Sequence, residues 1–136
     1  MSISHRRRKS KGSAAERTLI HAFWSEGWAA VRVAGSGSTQ FPSPDILVGN
    51  NKIKLALEVK ITKDKKKYFP KQEIENLNFF AEKFGAEPYI AVKFAKEKFY
   101  FIKTIYLNKT TSSYVSSLEL CKQKGCLFEG LISFFS

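Results

Sequence analysis

Two apolar runs, "DILVG" (45–49) and "KIKLALEVK" (52–60), lie on either side of an Asn50-Asn51 pair. Both are rich in branched aliphatics, and Asn beside Gly between two such runs is a hairpin signal. Nothing else in the chain restricts the fold as strongly. Side chains alternate along a strand, so the register of this hairpin decides which residues share a face. Ile53, Leu55, Leu57 and Val59 take one face, and Lys54, Ala56, Glu58 and Lys60 take the other. A turn of two or four residues centred on Asn50-Asn51 sets Asp45 opposite Ala56, on the face of Glu58, while Ile46 and Val48 join the apolar face. The diagonal from Asp45 to Glu58 is then roughly 7–8 Å between backbones, close enough for two carboxylates to converge on one cation. A three-residue turn would separate them.

Two carboxylates at that spacing repel unless a cation, a proton or a lysine compensates, and a hard divalent ion such as Mg2+ takes carboxylate oxygens plus waters. Lys60 is placed to orient or activate a water, or to neutralise charge developing on a phosphate. Spacing alone allows a second arrangement, in which Asp45 is a turn residue after Pro44 and Glu58 and Lys60 line the solvated face of an edge strand. The charge balance weighs against it. Lys and Arg number 23 against 12 acidic residues, a net charge of +11, which calls for a polyanionic partner, nucleic acid first. An acidic metal site inside a strongly basic protein is what phosphodiester hydrolysis requires. The alternative of another class is a non-catalytic basic DNA-binding module whose carboxylates only satisfy local structure.

No apolar run approaches the ~18 residues of a membrane-spanning helix, and no signal-peptide core follows the Arg-rich start. The expectation is a soluble protein with no membrane partner, cytoplasmic and nucleoid-associated. Cys121 and Cys126 cannot complete a four-ligand zinc site and read as ordinary thiols. His5 and His21 have no partner spacing that suggests a ligand pair.

The 136 residues suffice for a single domain. Residues 1–12 carry Arg6, Arg7, Arg8, Lys9 and Lys11 with almost nothing apolar, which predicts a flexible basic arm ahead of one domain over 13–136. Ser13 and Glu16 have capping-box spacing before a helix over 14–26 that Gly27 stops. A strand over 28–33, a Gly/Ser/Pro-rich loop over 34–44 and the hairpin follow. The basic stretch with Lys63, Lys65, Lys66, Lys67 and Lys71 leads into a helix over 71–85 with apolar positions at Ile74, Leu77, Phe80, Ala81 and Phe84. Two strands meet at Lys96-Glu97, a third helix candidate follows Ser113, and "CLFEGLISFF" is an apolar closing segment that needs a covering partner. The order predicts an α/β fold, a mixed sheet of about five strands flanked by helices.

Pro44-Asp45 followed by Glu58-Val59-Lys60 resembles the signature of the PD…(D/E)xK nuclease superfamily. "RKSKGSAAERTLIHAFWSEGWAAVRVAGSGS", "PDILVGNNKIKLALEVK" and "FFAEKFGAEPYIAVKF" together resemble the archaeal Holliday junction resolvase (Hjc) family, over residues 8–102. The resemblance implies a restriction-endonuclease-like fold and a homodimeric, Mg2+-dependent endonuclease, with Mn2+ as a substitute ion, that cuts four-way junction DNA in two opposed strands. It implies Glu16, Asp45 and Glu58 as the acidic metal group, the Val59 carbonyl as a further metal ligand, Lys60 as the catalytic lysine and Ser36 as a loop residue of the site. It also implies Arg17 and Arg32 at the DNA, Phe80 and Phe84 at a dimer contact, and a sliding clamp or branch-migration helicase as protein partners. Flap, fork or duplex DNA is the alternative substrate within the superfamily. Glu16 has two competing roles, helix cap with Ser13 or site carboxylate. The stripe of Phe79, Phe80 and Phe84 is either core or interface. The basic runs, 6–11 and 63–71, are expected to contact phosphates without reading bases.

Overall fold

The computed structural model describes residues 3–33 and 41–136, with side chains from residue 12 onward. A long helix α1 (Ile3–Ser25) leads through Gly27, at φ 83°, into strand β1 (Ala29–Arg32). The helix therefore begins at Ile3 and not near residue 14. Its Arg- and Lys-rich first turns consist of good helix formers, and Ser13 lies inside the helix, so the capping box does not exist. Strands β2 (Ile46–Gly49) and β3 (Lys54–Ile61) form the hairpin. Asn50 shapes its turn. Its backbone N–H donates to Ile53 O at 3.0 Å, and its Oδ1 accepts from the N–H groups of Lys52 and Ile53, both at 2.8 Å. This four-residue turn over 50–53 moves the register by two residues from the one expected, pairing Ile46 with Leu57 and Leu47 with Ala56. A shift of two preserves every facing.

Strand β4 (Lys66–Pro70) and helix α2 (Lys71–Phe84) come next. Gly85, at φ 82°, closes α2 where the sequence put its end, its N–H bonding to Ala81 O. Strands β5 (Glu87–Lys93) and β6 (Phe99–Lys103), a 3-10 turn (Thr104–Tyr106), strands β7 (Asn108–Lys109) and β8 (Ser113–Ser117), helix α3 (Leu118–Lys124), strand β9 (Cys126–Leu127) and helix α4 (Phe128–Phe134) complete the order. The main sheet has strand order β1-β2-β3-β5-β6-β9. Among the described residues only β3 and β5 run parallel in it, as expected for a crossover carrying α2. The five strands expected are present, and the two-residue β9 adds a sixth.

Four-residue β1 and β2 place β3 and β5 at the centre, buried on both faces. On one face Leu55, Leu57, Val59, Tyr89 and Ala91 pack with Leu19 and Phe23 of α1 and Leu131 of α4. On the other, Ala56, Ile90 and Val92 pack with Ile74, Leu77 and Ala81 of α2 and with Phe69, Leu107 and Cys121. Each Leu, Ile, Val or Phe among them stabilises the fold by about 1.5–3 kcal/mol when fully buried. The closing apolar segment finds its cover here: Phe128 lies 5.1 Å from the Phe23 ring, and Phe135 lies 6.3 Å from Trp28.

Two segments differ from expectation for the same reason. The basic stretch contains β4, and the predicted helix after Ser113 is half strand, β8, before α3 begins at the Ser117 cap. These strands pair in a second sheet, β4-β8-β7, with Lys66 opposite Ser117 and Pro70 opposite Ser113. A ladder joining residues so far apart has no local signal.

Candidate active site

The site lies where β3 passes the start of β2. Asp45 directly precedes β2, and its N–H donates to Leu57 O at 3.0 Å while its Oδ2 accepts the Val59 N–H at 2.9 Å. Continuing the observed register puts Asp45 opposite Glu58, closer than the diagonal expected. Their carboxyls share a hydrogen bond. Glu58 is 8% exposed, far from the solvated edge that spacing alone allowed, because β3 is a central strand beneath α2. Burial, then the charge of Asp45 and the hydrogen bond to it, push the Glu58 carboxyl up to about 9. With no other compensation, the pair keeps a proton at neutral pH.

Lys60 points to the same face, and its Nζ is 2.7 Å from Glu73 Oε1 in the first turn of α2. Burial works to lower its pKa, but the hydrogen bond and charge of Glu73, with Glu58 and Asp45 behind them, leave it raised. Lys60 is therefore a cation across the neutral range.

Glu16 approaches from α1. Its Oε1 accepts from Arg32 Nε at 2.8 Å, and Arg32 Nη2 donates to Ser13 Oγ at 3.0 Å. Burial, partly offset by Arg32, raises the pKa of Glu16, and the charges of Asp45 and Lys60 also reach it. The structure thus brings Asp45, Glu58 and Lys60 together and leaves Glu16 turned to Arg32 at the rim. Among the described residues no group of three or more His, Cys, Asp or Glu is gathered to hold a metal ion. Val59 turns its side chain into the α1-side core and commits its N–H to Asp45.

The remaining predicted residues are spread over the surface or lie beyond description. Ser36 is outside the described residues. Arg6, Arg7, Arg8, Lys9 and Lys11 belong to the first turns of α1, with side chains that are also outside them. Arg17, Lys63, Lys65 and Lys66 are exposed, and Lys67 is half-buried on β4. On α2 the core positions are Ile74, Leu77 and Ala81. Phe79 and Phe84 are 54% and 46% exposed, so neither is core. Phe80 packs partly against the core and stacks on Phe84 at 5.3 Å.

Sequence reasoning missed Glu73. It is an acid in the first turn of α2, and only the docking of α2 on β3 brings it to Lys60.

A family profile described as archaeal Holliday junction resolvase (Hjc) matches residues 7–135. The crossover junction endodeoxyribonuclease Hjc of Archaeoglobus fulgidus is 41% identical over 128 residues, covering 89% of this chain and 94% of that protein. The protein of the same name from Methanocaldococcus jannaschii is 36% identical over 110 residues, covering 81% of this chain and 78% of that protein. The solved structure of Archaeoglobus fulgidus Hjc, described as a Holliday junction resolvase from an archaeal hyperthermophile, superposes with a TM-score of 0.83 at 36% identity, covering 90% of this chain and 99% of that one.

Proposed function

The chain belongs to the archaeal Holliday junction resolvase (Hjc) family, and from that premise we propose that it is a Mg2+-dependent endonuclease making paired cuts in two opposed strands of four-way junction DNA. The observation that carries this reading is the pairing of half-buried Asp45 with buried Glu58, with Lys60 on the same face. The pair suits Mg2+, because two hard carboxylate groups that must otherwise share a proton are the donor set this ion prefers. When bound, Mg2+ supplies positive charge at the scissile phosphate and a water of lowered pKa.

The chain's own residues supply the rest. Asp45 and Glu58 would hold the ion, with the Val59 carbonyl and Glu16 as further donors. Lys60 is charged at neutral pH, so it acts as an electrostatic partner for the phosphate oxygens and an orienter of the attacking water. The burial of Glu58 keeps bulk water from screening these charges. Ser36 contacts the substrate. The basic segment 1–12 serves as an arm on the junction, and Arg17, Arg32, Lys63, Lys65, Lys66 and Lys67 meet phosphates, so that shape and not sequence selects the DNA.

Exposed Phe84 and half-buried Phe80 form the contact of a two-fold dimer. Two equivalent sites at fixed separation are what symmetric cutting requires. Mn2+ replaces Mg2+, the protein works at the nucleoid, and a sliding clamp or branch-migration helicase delivers it. Among the described residues no helix is long and apolar enough to cross a membrane.

Incubating the protein with Mg2+ and an immobile four-way junction, a flap, a fork and a linear duplex tests this directly. Paired symmetric cuts in the junction alone are expected. Cleavage of the flap or duplex at equal rate would make it a nuclease of other specificity, and binding without any product would make it a DNA-binding module.

A further inference from the structure

We infer that Glu73 is a positioning residue for the reaction, its carboxylate holding the Lys60 ammonium at the mouth of the Asp45–Glu58 pair. This rests on the nuclease reading above. Lysine carries its charge on a flexible four-carbon stem and gains precision only from a fixed partner. Lys60 is one residue from the end of β3, its side chain is 31% exposed, and its Nζ lies 2.7 Å from Glu73 Oε1. The Glu73 side chain is itself only 25% exposed, so the contact is not a loose surface pair.

The N-terminus of α2 explains why this carboxylate is available. Glu73 is the third residue of a helix whose N-cap is Pro70, with no side-chain cap. An acid at that position ordinarily reaches back to the N-cap N–H, but proline has none. The helix end still favours a negative charge there, so the carboxylate stays near the terminus and bonds outward to Lys60. The helix is in turn fixed to the sheet through Ile74, Leu77 and Ala81, which are 0%, 1% and 0% exposed. The position of the catalytic cation is thereby referred to α2, a separate element from the strand that bears it.

The experiment measures single-turnover junction cleavage at saturating protein, junction affinity in Ca2+, and thermal unfolding, for wild type, Lys60→Met, Glu73→Ala and Glu73→Gln. Expected are loss of cleavage in Lys60→Met, a fall on the order of tenfold or more in Glu73→Ala with affinity unchanged within about twofold, and recovery toward the wild-type rate in Glu73→Gln, which keeps an acceptor for the ammonium. Rescue by the amide distinguishes positioning from a general structural effect. If Lys60→Met cuts like wild type, the nuclease reading of this site fails. If Lys60→Met is inactive but Glu73→Ala cuts at the wild-type rate, or loses affinity in proportion to rate, the role assigned to Glu73 fails. Should Glu73→Ala not fold, a wild-type rate in Glu73→Asp, whose shorter arm cannot hold the same contact, overturns it alone.

Discussion

Replacing Glu58 by Gln should reverse part of the protein's response to pH. Glu58 is 8% exposed, and its carboxyl is raised from 4.5 to about 9 by burial and by Asp45. Between those two values the folded protein holds a proton that the unfolded chain has released. Stability from this group is therefore complete below the unfolded pKa and is lost as pH rises through the window up to the folded pKa. The slope is about 1.4 kcal/mol per pH unit, so moving from pH 5 to pH 8 removes roughly 4 kcal/mol. Glu58→Gln keeps the shape and the neutral, hydrogen-bonding form and has no proton to lose. Urea unfolding of both proteins in EDTA, at one protein concentration and at pH 5, 6, 7 and 8, isolates the proton held by the Asp45–Glu58 pair, because titrations away from the pair cancel in the difference. The variant should gain on wild type by about 4 kcal/mol across that range, and saturating Mg2+ should shrink the gap by replacing the proton on the wild-type pair. Parallel stability profiles for the two proteins would refute the reasoning, since they would mean that Glu58 is ionised in the folded state.

Asp45→Asn should abolish cleavage, by a factor on the order of a hundred or more in single-turnover assays, while a gel-shift assay finds junction affinity nearly intact. Arg32→Ala removes the 2.8 Å bond to Glu16, but Arg32 is 47% exposed; melting should show a change under about 1 kcal/mol, whereas cleavage slows markedly because a phosphate contact is lost. Lys66→Ala combined with Lys67→Ala should lower the slope of log affinity against log salt by about 2, one contact each, in fluorescence titrations over a salt series. Phe84→Asp puts a charge on the exposed end of α2 and should yield monomers by sedimentation, with junction products nicked in one strand instead of two.

Local patterns decide much of this protein. Alternation over 53–60 assigns the faces of β3, Gly27 and Gly85 end the two long helices at positive φ, and Asp45, Glu58 and Lys60 share a side for any even turn. Even the error in register was harmless, since the Asx-type turn at Asn50 slides the hairpin by two residues and parity survives. The resemblance carried by the three blocks over residues 8–102 points to the family. The local patterns are readable because each depends on residues only a few positions apart.

What the tertiary structure decided depends on contacts that no short window contains. That β3 is central and not an edge follows from β5 lying parallel beside it under α2, and this burial gives Glu58 its raised pKa. The β4–β8 ladder turned part of the basic stretch and half an expected helix into strands. Arg32 came to Glu16, and Glu73 came to Lys60, only when α1 and α2 docked on opposite faces of the sheet. The sequence alone determined which side chains point the same way; packing between distant elements determined how far each is from water and from charge, and that sets their chemistry.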